Sequence, residues 1–380
     1  MITTDFTYIF LNLLMLATFI IVGYCIQHDS QKRYWTFGIW CIVSFTLILG
    51  LRYGRGNDYM HYIDVYKYNL ESNEILFTFI NAILKSIGVG EHYFFMYYNF
   101  LFIVGGMSLL KLFRKNAQFL LPLFLIAFIF FAEFMIRQAL GFAFVFLFLK
   151  TLIKIEHTKQ DLFLLCIYSL CTLFIHSANI IYIFLFVILY VFIKKPFSPN
   201  ITIPAFLFST YIFSSVIDYS FLTSYLSLLG GMDNKIGEYA SDSATWLSAD
   251  NSQTLFLRNP VIKVWQTYGE CALIYLTYKV LELYRDEKYV ITYNVYIIGL
   301  LFMQCFLTFE FLNRVGSIIY YFWAFPLSLT LRYFTRFWNK GIKYRFLLLG
   351  LSFYLYEYLK LLFLRENGMF KFIWDASFQY

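Results

Sequence analysis

Charge is scarce in this 380-residue chain. Aspartate, glutamate, lysine and arginine make up 14% of it, against 60% hydrophobic residues and a mean hydropathy of +0.64. A soluble domain carries about 25% charged and about 45–50% apolar residues. The length would suit two or three soluble domains, but so much apolar surface asks for lipid as its solvent. The expectation is a single integral membrane domain over 1–380.

Other absences narrow the chemistry. The cysteines at 25, 41, 166, 171, 271 and 305 lie in or beside apolar runs and form no C-x-x-C. They read as small buried hydrophobes, not as a disulfide framework or a thiolate metal site. The sequence has no H-E-x-x-H, no D-x-D, no Walker loop and no G-x-S-x-G, and its five histidines are dispersed. No metal and no cofactor are expected. The N-terminus lacks a basic n-region and a small-residue cleavage site, so Phe6 to Ile26 reads as a first spanning helix and not as a cleaved signal peptide.

What is present is long apolar sequence rich in aromatic residues, 47 Phe and 33 Tyr, some of which suit interfacial belts. A spanning helix needs about 20 apolar residues. Spans are expected near 6–26, 34–51, 93–113, 201–217, 262–284, 290–309, 312–333 and 343–364. Residues 119–150 and 161–193 are too long for one span each: about 48 Å at 1.5 Å per residue, against a core of about 30 Å. Both ends of each stretch are basic: Lys111, Arg114 and Lys115 before the first and Lys150 and Lys154 after it; Lys159 before the second and Lys194 and Lys195 after it. Both ends then lie on the cytoplasmic side, and each stretch is a hairpin of two short spans. The tips fall at "AEFMIRQ" (Ala132 to Gln138) and "HSAN" (His176 to Asn179). The predicted fold is an all-α polytopic membrane protein of about 10–12 transmembrane helices with both termini outside. The net charge of +7 is then the positive-inside bias and not a nucleic-acid footprint.

This layout brings the unusual polar residues to the outer side: Arg52, Arg55, Asp58 and Glu74; Glu133, Arg137 and Gln138; His176; Glu310 and Arg314. A mid-bilayer charge costs at least about 2.5–3.5 kcal/mol, so such residues usually face a cavity and act there. Two outer segments are large. Residues 52–92 hold a charged stretch and then "ESNEILFTFINAILKSIG", with amphipathic helical spacing suited to the interface. Residues 218–258 are rich in Gly, Ser, Asp and Asn and read as an ordered loop or lid. Arg52, Arg55, Arg137 and Arg314 come from three separate regions. Guanidinium groups suit bidentate phosphate binding, so the set fits the two phosphates of a lipid pyrophosphate and would offset charge growing on it as it leaves. The alternative is that these arginines pair with Asp58, Glu133 and Glu310 or snorkel to headgroups. His176 suits a general base by its ordinary pKa and its place at a hairpin tip, or serves only as a hydrogen-bonded intramembrane residue. Asp58 and Glu74 are rival bases.

"RYGRGNDYMHY" followed by "NEILFTFIN" resembles the EpsG group of Wzy-type polysaccharide polymerases, with its R-Y-x-x-G-x-D-x-x-x-Y pattern and an acidic residue opening the next helix. Arg52, Tyr53, Gly56, Asp58 and Tyr62 carry the pattern, and Glu74 is the later acid. "IRQALGFAF" is similar to the family's R-Q-x-[LA] element, with Gly141 where Ala is expected, and "FIHSANIIY" to its H-S-[AS] element. The motifs cover roughly residues 50–182, and Arg55 is additional to the pattern. The resemblance implies a GT-C-like, metal-independent inverting glycosyltransferase. It joins undecaprenyl-pyrophosphate-linked oligosaccharides, both donor and acceptor, at the outer face of the bacterial inner membrane. A flippase and a chain-length regulator of the same pathway are the implied partners. Arg52, Arg137 and Arg314, with Arg55 and Gln138 beside them, would hold the donor pyrophosphate. His176, Asp58 or Glu74 would take the acceptor proton, with Tyr62 in the same motif. Tyr239 and Trp246 of the 218–258 loop would stack on sugar or anchor in the interface. Rival readings are a membrane acyltransferase that decorates the glycan, a flippase and a non-catalytic assembly subunit.

Overall fold

The computed structural model describes residues 2–31, 33–56, 58–69, 74–154, 156–213, 260–306, 310–337, 343–363 and 368–375. The fold is chiefly helical. One two-stranded ribbon is its departure from all-α among the described residues. The chain divides into two compact units, Met1–Lys194 with Leu355–Tyr380, and Lys195–Tyr354.

In the first unit the long elements are α1 (Ile2–His28), α2 (Tyr34–Gly50), α5 (Phe94–Leu110), α6 (Ala117–Phe134), α7 (Ile136–Leu152), α8 (Lys159–Ile175) and α9 (Ile180–Phe192). Two shorter helices, α3 (Tyr59–Tyr68) and α4 (Ile75–Ser86), lie between α2 and α5. The long helices alternate in direction. Tyr8 meets Glu133 while Gly23 abuts Ala117, so α1 and α6 are antiparallel. Tyr34 donates to the Met107 carbonyl at 2.8 Å while Gly50 abuts Met96, so α2 and α5 are too. Ring pairs Phe131–Phe142 (5.3 Å) and Phe128–Phe146 (5.4 Å) fold α6 and α7 into a hairpin. Its tip is Met135, whose φ/ψ of −113°/56° leaves the helical region. The second hairpin turns at His176, extended at φ −157° and ψ 102°, and His157 meets Tyr190 at its open end.

Phenylalanines 102, 124, 128, 131, 142 and 146 interleave between α5, α6 and α7 and form the centre of this unit. The flanking helices turn large apolar side chains outward, among them Phe6, Ile21, Trp40, Phe163, Phe184 and Phe192. An apolar outer surface around an apolar core is what lipid selects and water does not. The two ends of the unit differ in charge. Lys111, Arg114, Lys150, Lys154 and Lys159 gather at one end, and Arg52, Glu74, Glu133, Arg137 and His176 at the other.

The helices are shorter than the expected spans. Phe6–His28 and the run Phe94–Phe134 are, among the described residues, the two stretches long and apolar enough to cross a membrane by length and composition. Helices α2, α5, α7 and α8 have 17 residues each, which is about 25 Å and somewhat less than the hydrocarbon core.

The second unit holds α10 (Pro199–Phe208), α11 (Pro260–Leu283), α12 (Glu287–Cys305), α13 (Glu310–Tyr320) and α14 (Ala324–Phe337), and α15 (Lys343–Phe363) begins in it. Two glycines let α12 and α13 touch: a Cβ on Gly299 would lie 2.4 Å from the Tyr320 amide, and one on Gly316 would lie 2.7 Å from the Met303 amide. The expected span 312–333 tightens to a 3₁₀ turn at Tyr321–Trp323, with helical φ/ψ on both sides. Pro326 fits this change, because it has no N–H to give the Phe322 carbonyl. The span expected at 201–217 ends its α-helical part at Phe208 and continues as a π-turn, Ser209–Phe213.

Candidate functional site

The charged stretch after α2 forms strand β1 (Arg52–Arg55), which pairs antiparallel with β2 (Gly368–Phe372), Arg52 opposite Phe372 and Arg55 opposite Gly368. Arg52 is fully buried, and its donors all meet backbone oxygens. Nε donates to the Arg55 carbonyl at 3.3 Å, Nη2 to the Glu133 carbonyl at 2.8 Å, and Nη1 to the Leu49 carbonyl. Leu49 and Glu133 stand in the last turns of α2 and α6, where carbonyls have no partner within their own helix. One guanidinium therefore caps two helix C-termini, whose partial negative charge offsets its own. Gly56, at φ +108°, makes the approach possible: a Cβ there would lie 2.9 Å from the same Glu133 carbonyl.

Arg55 is equally buried. Its Nε donates to Glu133 Oε1 at 2.7 Å, its guanidinium lies 4.8 Å from the centre of the Tyr8 ring, and Tyr8 donates its hydroxyl to the same Glu133 oxygen at 2.5 Å. Both arginines, expected from the sequence to contact phosphate, are buried and bind protein oxygens, which ties the β1 segment to the tip of the α6–α7 hairpin.

A second charged cluster lies at the same end of the unit and is partly open. Glu74 immediately precedes α4, Arg137 is in the first turn of α7, and His176 is the extended residue between α8 and α9. Glu74 Oε2 lies 2.6 Å from Arg137 Nη1, and Glu74 Oε1 lies 3.0 Å from His176 Nδ1. Side-chain exposures are 8% for Glu74, 16% for His176 and 27% for Arg137. The Arg55–Glu133 pair is 0% exposed at both partners. Of the two arginine–glutamate pairs, one is sealed and the other meets its surroundings.

Tyr62, in the first turn of α3, is buried with its hydroxyl against the Arg137 backbone N–H; burial pushes its pKa up to about 12, and the nearby Arg137 charge moderates the rise. Asp58, just before α3, is exposed and does not cap the helix with its side chain. Gln138 supplies its carbonyl to Asn179 Nδ2 at 2.9 Å. Asn179 is fully buried and fills the space beside Gly141, where a Cβ would come within 2.6 Å of its Nδ2. Sequence reasoning passed over Asn179 although it stands inside the quoted "FIHSANIIY", three residues after His176. It also passed over Tyr8, which no local pattern marks.

The structure thus brings Tyr62, Glu74, Arg137, Gln138 and His176 together, with Asp58 near Tyr62. Arg314 belongs to the second unit, exposed on α13. Tyr239 and Trp246, with most of the 218–258 loop, lie outside the described residues.

A family model for the EpsG family matches residues 35–374. The chain belongs to the EpsG family. No match was found among curated proteins or among solved structures. EpsG is a Wzy-like polymerase family whose members are membrane proteins. Membership points to a polymerase-type glycosyltransferase of exopolysaccharide synthesis, acting on lipid-linked oligosaccharide at a membrane. The matched span contains both charged clusters and the β2 strand that pairs with Arg52–Arg55. None of the groups of His, Cys, Asp and Glu among the described residues is arranged to hold a metal ion.

Proposed function

We propose that this EpsG-family chain is a Wzy-type polymerase that joins undecaprenyl-pyrophosphate-linked oligosaccharides by metal-independent inverting transfer at the outer face of the inner membrane. The observation that carries the reading is the single carboxylate of Glu74 touching both His176 and Arg137. With Nδ1–H donating to Glu74, His176 keeps a lone pair on Nε2, the arrangement that orients a histidine as a general base. The acceptor hydroxyl gives its proton to Nε2 and its oxygen attacks the anomeric carbon of the donor. The bond from that carbon to the pyrophosphate oxygen breaks, and undecaprenyl pyrophosphate leaves. Arg137, the partly exposed arginine, neutralises the charge growing on the leaving group. Arg52 and Arg55 act from inside the fold by fixing the hairpin tip that carries Arg137.

The charge difference between the two ends of the first unit supports the orientation. The lysine-rich end suits the cytoplasm, which supports an outer position for Glu74, Arg137 and His176. In this reading the chain is one multispan GT-C-like membrane domain whose short helices match a locally thinned bilayer. A flippase and a chain-length regulator work beside it.

The test is complementation of a deletion strain, with surface glycan resolved on gels. Arg137→Ala and His176→Ala should each collapse the ladder to a single repeat unit while the protein remains in the membrane. Normal ladders in both would refute the assignment, and an unchanged ladder with lost acyl groups would indicate an acyltransferase.

A further inference from the structure

The open pair between Glu74 and Arg137 has a consequence for how substrate enters. Arg137 is the partly exposed member, and Glu74 Oε2 holds its Nη1 at 2.6 Å. The Nε of Arg137 is buried and, within the described structure, has no hydrogen-bond partner. A guanidinium with one edge taken by a single carboxylate oxygen and a further donor unused is better matched to a bidentate phosphate than to its present partner. Glu74 has a second anchor, because Oε1 lies 3.0 Å from His176 Nδ1. It can leave Arg137 without being stranded as an unpaired charge.

We infer that Glu74 occupies the anion seat of the resting site, and that the donor pyrophosphate displaces it from Arg137. This inference rests on the reading of the site as one for lipid-linked pyrophosphate. An incoming pyrophosphate cannot share Arg137 with Glu74 at close range, since like charges a few ångströms apart repel strongly near a protein surface. The phosphate oxygens take Nη1 together with Nη2 on the same guanidinium edge, and Glu74 turns to His176, which its other oxygen already meets. Freed from Arg137, the carboxylate presents its full charge to the imidazole and strengthens it as a base. The same event that binds the donor therefore arms the group that deprotonates the acceptor, and donor without acceptor, or acceptor without donor, meets an incomplete site. The sealed Arg55–Glu133 pair shows the contrast: 0% exposed at both partners, it offers no edge to an incoming anion.

The seat predicts a gain in binding where an anchoring role predicts a loss. Full-length protein in phosphatidylcholine nanodiscs is titrated calorimetrically with inorganic pyrophosphate and with farnesyl pyrophosphate. Glu74→Gln should bind both at least about tenfold tighter than wild type, the scale set by removing one like charge at short range, while chain extension is lost. Arg137→Ala should lose binding. If Glu74→Gln binds equally or more weakly while Arg137→Ala still loses binding, Glu74 is an anchor for Arg137; the inference falls and the pyrophosphate reading stands. If Arg137→Ala binds like wild type, or no form binds, the pyrophosphate reading itself falls. A gain that disappears when phosphatidylglycerol replaces phosphatidylcholine would assign the seat to a bilayer headgroup and overturn the proposed source. Should Glu74→Gln not accumulate, Glu74→Asp shortens the reach to Arg137 and should give a smaller gain in the same direction; a loss there counts against the seat.

Discussion

Replacing Arg52 by lysine preserves the charge and removes the geometry. The guanidinium meets three carbonyls, those of Leu49, Arg55 and Glu133, through three different nitrogens. A single ammonium at the end of a flexible stem cannot reach carbonyls spread around that fork and keeps one of the three. Two bonds from a charged donor are lost, at about 1.5–3 kcal/mol each, which amounts to about 3–6 kcal/mol. Leu49, Arg55 and Glu133 are all fully buried, so water does not replace the donor at the carbonyls that lose it. Set against a typical total stability of about 5–15 kcal/mol, this is a large fraction. For a unit of this size about 1 kcal/mol corresponds to about 2–4 °C, so the melting temperature should fall by about 6–24 °C. Purified Arg52→Lys in nanodiscs, melted with tryptophan fluorescence as the signal, reads this directly. If Arg52 instead contacts substrate, the lysine variant melts like wild type and loses donor binding alone, and a melting temperature within about 2 °C of wild type, less than 1 kcal/mol, would refute the double-cap assignment.

Two further variants probe the parts that hold the site. Gly141→Ala puts a methyl group within 2.6 Å of Asn179 Nδ2 and should cost about 1–3 kcal/mol with loss of long glycan chains; adding Asn179→Ala should recover part of the melting temperature, and equal losses in single and double variants would exclude this clash. Phe372 is fully buried against Tyr8, with ring centres 5.9 Å apart, so Phe372→Ala should destabilise by about 3–5 kcal/mol and shorten the glycan ladder through the β1 segment that β2 pairs with; a wild-type melt would refute this packing role.

Much of the helical plan was legible in residue order. The hairpin tips at Met135 and His176 follow from two apolar stretches too long for one span, each basic at both ends. The grouping of Glu74, Arg137 and His176 at one end was legible for the same reason, because alternation of short spans returns every second connection to the same side. The changes of helical hydrogen bonding at Tyr321–Trp323 and Ser209–Phe213 were not legible from hydropathy, which averages over the few backbone bonds that set a local turn. The ribbon was not legible either: β1 and β2 have little strand character of their own, and more than 300 residues separate Arg52 from Phe372 in sequence.

Composition and periodicity by themselves determined that this chain is helical, apolar and polarised in charge, since those properties depend on residue type and on neighbours a few positions away. They also marked four arginines as unusual without separating them. Only the tertiary structure divided that set. Arg52 points inward because α2 and α6 end beside it with carbonyls to satisfy, and Arg55 because the buried Glu133 carboxylate meets it, whereas Arg137 stands in the first turn of α7, where the carbonyls point away down the helix and the carboxylate of Glu74, just before α4, is its partner. A guanidinium is the same group in all these places. The oxygens folding brings to it decide whether it is sealed inside the fold or left partly open.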